Sequence, residues 1–180
     1  MRLAVNRRRQ QQETAEPSLP LPQLIGEQSF AANFDRAWRR DRRSQTPLSL
    51  LVINVDHLAS YNRERGRAAG DHCLRRIGAV LYESIYRPDD LVAHRGGGEF
   101  VVLLPATDSA GAAVVAERLR AKVASLALTT VSIGMATAHP LVDPSPEDLM
   151  AAAERALSKA KLEGRNRLEI EQNVAFSAPA

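Results

Sequence analysis

Two strand-like runs, "DLVAHR" over residues 90–95 and "EFVVLLP" over residues 99–105, meet across the consecutive glycines Gly96, Gly97 and Gly98. Strands joined by so short a turn run antiparallel. Helical patterns stand on both sides of this hairpin: Leu74, Ile77, Leu81 and Ile85, stopping before Pro88, and then Val115, Leu119 and Val123. Further strands are read at "LSLLVINV" after Pro47, at "LTTVSIGMA" and at the short "NRLEI". The nearly continuous apolar run of the first suits a strand covered on both faces. Phe30, Phe34, Ala37 and Trp38 mark one face of an opening helix whose other side carries Arg36, Arg39, Arg40, Arg42 and Arg43. Ser145-Pro146-Glu147-Asp148 starts the last helix, with serine as N-cap and proline at the first helical position, and Gly164 ends it. A hairpin placed among crossover units requires a mixed sheet. The expected class is therefore α/β (α+β), a palm-like mixed central sheet of about five strands surrounded by helices.

The chain has 180 residues, of which 44% are hydrophobic, enough for the core of one domain. Arginines, glutamines and prolines without periodicity mark residues 1–28 as a tail or linker, leaving a domain at 29–171 and a C-terminal tail at 172–180. The net charge of +3, from 24 basic and 21 acidic side chains, is too small to imply DNA or RNA binding. The single cysteine, Cys73, excludes an internal disulfide framework and reads as a packed small hydrophobe. No run approaches the 18 or more apolar residues of a spanning helix, so no membrane insertion and a cytoplasmic location are expected. His57, His72 and His139 have no metal-ligand spacing with Cys73, and no Walker loop or dinucleotide fingerprint is present.

Four segments taken together carry a resemblance: "VINVDHLASYN", "ERGRAAGD", "HRGGGEF" and the late "AKLEGRNR". In order and spacing they resemble the GGDEF family, the diguanylate cyclases that condense two GTP molecules into cyclic di-GMP and pyrophosphate. The likeness covers roughly residues 29–170, with a poorly matched entrance at "LPQLIGEQSF" and a short connection between Val123 and Thr130. The family places magnesium against the triphosphate through two acidic side chains and one backbone carbonyl, hard oxygen ligands for a hard cation. Those positions fall on Asn54, Gly98 and the carbonyl of Val55, so both ligand carboxylates are missing. Asp56 shares a strand face with residue 54, but the family keeps an acid there in addition to its ligand, and a local hydrogen bond is the expected role. Glu99 faces away from residue 98 in a regular strand.

By the same resemblance, Asn62 and Asp71 match the residues that read the guanine edge, and Lys161 and Arg165 match the phosphate-binding cations. Without it they read as helix caps and a solvated basic turn. Leu58, Ala59, Arg67 and His94 replace the usual aromatic, lysine, histidine and arginine. A second site is better kept. Arg87-Pro88-Asp89-Asp90 stands five residues before "GGGEF", the spacing of the family's product-binding inhibitory motif, and Arg118 matches a third contributor. Arg40 matches an arginine that reaches a ligand shared with a neighbouring domain. The resulting expectation is a catalytically degenerate GGDEF-like domain that binds cyclic di-GMP as a sensor or adaptor, leaning away from an enzyme. No cofactor or metal is expected in that reading, a ligand-mediated homodimer and a protein effector are the expected partners, and magnesium belongs to the competing reading of a weak or unusual cyclase. A third reading is an interaction module that holds no ligand.

Overall fold

The computed structural model describes residues 24–140 and 145–172. In chain order the elements are α1 (Glu27–Ser44), β1 (Leu48–Val55), α2 (Leu58–Arg65), α3 (Arg67–Glu83), β2 (Leu91–Gly96), β3 (Glu99–Pro105), α4 (Ser109–Ser125), β4 (Val131–Ala138), α5 (Pro146–Leu162) and β5 (Leu168–Glu171). They form one five-stranded sheet in the order β2-β3-β1-β4-β5. The β4–β5 pair is parallel, and the other neighbours are antiparallel. The mixed sheet expected from the hairpin is therefore present.

β1 lies at the centre, and its alternating residues feed two cores. Leu48, Leu50 and Val52 pack with Phe30, Phe34 and Trp38 of α1 and Leu149, Ala153 and Leu157 of α5. Leu51, Ile53 and Val55 pack on the other face with Cys73, Ile77 and Leu81 of α3 and Ala116, Leu119 and Val123 of α4. A period of two along the strand, with helices on each side, accounts for its continuous apolar run. Cys73 is buried in the second core, and burial pushes its thiol pKa up, as expected of a packing residue.

Two features depart from the sequence reading. The chain makes a separate short helix, α2, which has no buried residue and hence no apolar periodicity to reveal it. Gly66, at φ +86°, separates it from α3 in a conformation that favours glycine. At the entrance, α1 begins at Glu27, and Ile25 forms a bridge with Ala93 at the sheet edge. Residues 1–23 and 173–180 of the expected tails lie outside the described residues.

Candidate functional site

The glycine turn is stitched to the end of β1. Val55 N–H donates to the Gly98 carbonyl at 2.8 Å, and Asn54 stands opposite Glu99 in the β1–β3 register. Gly96 and Gly97 adopt φ +100° and +52°, which explains the glycines at those two positions. At Gly98 a Cβ would sit 3.0 Å from Leu58 Cδ2 and 3.2 Å from Val55 Cβ, so an acid here requires Leu58 to give way by a few tenths of an ångström. His94 Nε2 donates to the Gly97 carbonyl at 2.8 Å, and its ring packs on Phe100, with the centroids 4.9 Å apart. Glu99 is engaged by Arg95 at 2.8 Å, and Arg95 also reaches Glu154 at 3.0 Å.

Asp56 is an interior strut. It is buried, and its carboxylate accepts from Thr130 Oγ1 at 2.6 Å, Ser132 Oγ at 2.7 Å and Asn166 N–H at 3.1 Å. The hydrogen-bonding role expected from sequence is present but not local: the carboxylate's partners lie 74, 76 and 110 residues further along the chain. The acids near this turn thus have other partners, Asn54 is neutral, and Gly98 offers no side-chain oxygen. These donors do not fit a magnesium ion of the kind the resemblance implies.

Neither Asn62 nor Asp71 caps a helix: α2 and α3 have no side-chain capping bond, and α3 is preceded by Gly66. Asn62 Oδ1 is instead buried without a hydrogen-bond partner among the described residues. It fits only because residue 70 is glycine, since a Cβ there would stand 1.7 Å from that oxygen. Lys161 lies in the last turn of α5, and Arg165 is exposed in the following loop. Arg165 and Asn166 both adopt left-handed backbone, at φ 64° and 46°. Asp56 holds this loop from below, and Arg120 Nη1 donates to Asn166 Oδ1 at 2.9 Å. Both supports escaped the sequence reading, because nothing local connects Asp56 or Arg120 to residue 166.

The second site lies at the other end of β2, roughly 20 Å from the glycine turn at about 3.3 Å per residue. Arg87 and Asp90 close a turn in which Asp90 N–H donates to the Arg87 carbonyl at 3.1 Å. Their side chains do not pair with each other. Arg87 Nη1 donates to Thr107 Oγ1 at 3.1 Å, while Asp90 Oδ1 is buried without a partner among the described residues. Burial raises the Asp90 pKa, with the charge of Asp89 acting in the same direction and Arg87 opposing it. Arg118 donates through Nη2 to the Ser84 carbonyl at 3.0 Å and lies over the Tyr86 ring at 5.1 Å, but its buried Nε is unpartnered. A cavity of about 380 Å³ is lined by Arg87, Asp90, Tyr82, Tyr86, Ile25 and Leu91, among others. Arg40 comes to the same turn from α1, with Nη1 3.0 Å from Asp89 and Nε 3.2 Å from Asp41 of its own chain.

The helix-flanked mixed sheet, with a glycine hairpin beside the end of its central strand, defines a palm-like α/β domain. The family model "Diguanylate cyclase, GGDEF domain" matches residues 20–167, and the chain belongs to that family. It is 32% identical over 159 residues to Diguanylate cyclase DosC of Escherichia coli strain K12, covering 83% of this chain and 34% of that protein. It is 33% identical to Diguanylate cyclase DgcP of Pseudomonas aeruginosa, covering 84% of this chain and 23% of that one. The chain therefore spans about a third or less of the length of these relatives. Among solved structures, the GGDEF domain of DgcB from Caulobacter crescentus, in complex with c-di-GMP, superposes with a TM-score of 0.78 at 28% identity, covering 84% of this chain and 93% of that one. The active GGEEF domain of a Vibrio cholerae diguanylate cyclase gives 0.78 at 27% identity, covering 84% and 99%. Among the described residues, no helix is long and apolar enough to cross a membrane.

Proposed function

We propose that this GGDEF domain binds cyclic di-GMP through Arg87, Asp90 and Arg118 and does not synthesise it. The observation that carries the reading is the pair of buried, unpartnered polar atoms, Asp90 Oδ1 and Arg118 Nε, at the Arg87–Asp90 turn. Cyclic di-GMP complements them: guanine N–H groups suit the carboxylate, and phosphate and guanine acceptors suit the arginines. The complex of the related DgcB domain with c-di-GMP supports the ligand class. Arg40, held by Asp89 beside the turn, adds a cation that a shared ligand can draw on. The bound state would be read by a protein effector or by a second copy of the domain.

Calorimetric titration of cyclic di-GMP into the parent and the Arg87→Ala/Arg118→Ala variant tests the assignment. Loss of one charge-assisted contact weakens binding roughly tenfold to a hundredfold, and the double change should exceed that. Asn54→Ala should bind as the parent does. Unchanged affinity in a folded double variant would reject the site.

The cyclase reading draws support from the relatives that bear that name. GTP supplied with magnesium or manganese decides between the two. We expect no turnover, because Asn54 and Gly98 provide no carboxylate, and cyclic di-GMP made by the purified domain would overturn this.

A further inference from the structure

We propose that Tyr86 is a stacking platform for one guanine of the bound dinucleotide, with Tyr82 extending the same wall. The inference deepens the reading above and rests on it. Tyr86 is 68% exposed and Tyr82 43%, and both line the cavity that also holds Arg87 and Asp90. The Arg118 guanidinium sits 5.1 Å from the Tyr86 ring centroid, covering one face of a ring that otherwise lies largely in water.

The chain leading into Tyr86 is held by its surroundings. α3 ends at Glu83, where Ser84 N–H bonds back to Leu81 and Ile85 N–H to Tyr82. Arg118 Nη2 and Lys122 Nζ then pin Ser84, at 3.0 Å to its carbonyl and 3.1 Å to its hydroxyl. The chain is held where it turns from helix to the Arg87–Asp90 loop, with Tyr86 immediately before Arg87.

The chemistry matches one guanine in two directions. The face of the base meets the aromatic ring, an attraction open to any purine. Its N1–H and exocyclic amine form an edge of two donors, the partner that the unpaired Asp90 Oδ1 lacks. Stacking thus supplies affinity, and Asp90 supplies the choice of guanine. With Arg118 over one face of the ring, the guanine stacks on the other.

The test compares Tyr86→Leu, Tyr86→Phe and Arg87→Ala/Arg118→Ala with the parent by calorimetry. Proton NMR of cyclic di-GMP follows the guanine H8 shift, and thermal melts report folding. We expect Tyr86→Leu to weaken binding about tenfold and Tyr86→Phe to retain the parent affinity. The parent complex should show an upfield ring-current shift of one guanine H8 that the leucine variant loses. If Tyr86→Leu binds as tightly as the parent while the double arginine variant does not, the platform is wrong and the binding site stands. If neither change affects affinity, the site assignment itself fails. Should Tyr86→Leu not fold, absence of the ring-current shift in the parent complex is enough to overturn the proposal.

Discussion

Asp56→Ala removes a single acceptor on which two segments converge, the start of β4 and the loop at Asn166. Its carboxylate takes hydrogen bonds from Thr130, Ser132 and Asn166, and it is 1% exposed, so water does not replace them without the interior opening. Each bond to a charged group contributes about 1.5–3 kcal/mol, which bounds the three together at roughly 9 kcal/mol. Bonds that share one acceptor do not add, and the two hydroxyls can turn toward other oxygens, so the expected loss is about 3–5 kcal/mol. That is a large share of the roughly 5–15 kcal/mol that holds a domain folded. Asp56→Asn keeps one side-chain oxygen and should lose only about 1–2 kcal/mol.

Urea unfolding followed by far-UV circular dichroism measures both changes as shifts of midpoint at constant slope. An Asp56→Ala midpoint equivalent to less than about 1 kcal/mol from the parent would refute the strut reasoning. If that variant also abolished magnesium-strengthened nucleotide binding, the carboxylate would be a metal ligand and not a structural acceptor.

Two further outcomes follow from the sites. The Asp90 pKa is raised in the folded chain by burial, so the folded state holds its proton to higher pH than the unfolded state, and stability falls as pH rises from about 3.9 through the folded value. Asp90→Asn should remove this dependence. Its melting temperature should match or exceed the parent's at neutral pH, with the difference closing under acid, and a destabilised asparagine variant at neutral pH would contradict the burial argument. At the glycine turn, Gly98→Asp should destabilise the domain by about 1–3 kcal/mol through contact with Leu58, a loss partly recovered by adding Leu58→Ala. Asn54→Asp alone should confer no cyclase turnover, and a magnesium-dependent product assay on these variants would expose the reverse.

The elements that bury an apolar face were legible in the sequence. The repeat of Leu74, Ile77 and Leu81 lies in α3, Ser145 caps α5 by accepting from Asp148 N–H, and the run from Leu48 to Val55 is the central strand. What stayed hidden lacks either periodicity or a local partner. α2 has no fully buried residue, so only the positive φ required at Gly66 hints at its end. Asp56 looked like a residue at a strand end, yet its partners come from β4 and from a loop 110 residues away. Gly134, inside "VSIGMA", carried a readable signal that was not used: glycine in a strand marks close approach, and here a Cβ would lie 2.1 Å from Leu157 N of α5. At the sites, resemblance assigned residues to roles, but spacing alone could not say which of their atoms already had partners.

Those partners divide the family's two ligand regions unequally. Where the metal would be held, the chain is satisfied: Asp56 and Glu99 are bonded, the Gly98 carbonyl accepts from Val55, and Leu58 fills the space beside it. At the positions assigned to guanine contacts the reverse holds, because Asn62 Oδ1, Asp90 Oδ1 and Arg118 Nε are buried and unpaired among the described residues. A buried polar atom that water does not reach costs a fold about 1–3 kcal/mol. A guanine ligand offsets that cost by supplying N–H donors to the oxygens and acceptors to the arginine. On the reading proposed above, Asp90 Oδ1 and Arg118 Nε are the atoms that a guanine dinucleotide at the Arg87–Asp90 turn would complete, while Asn62 Oδ1 belongs to the separate GTP position.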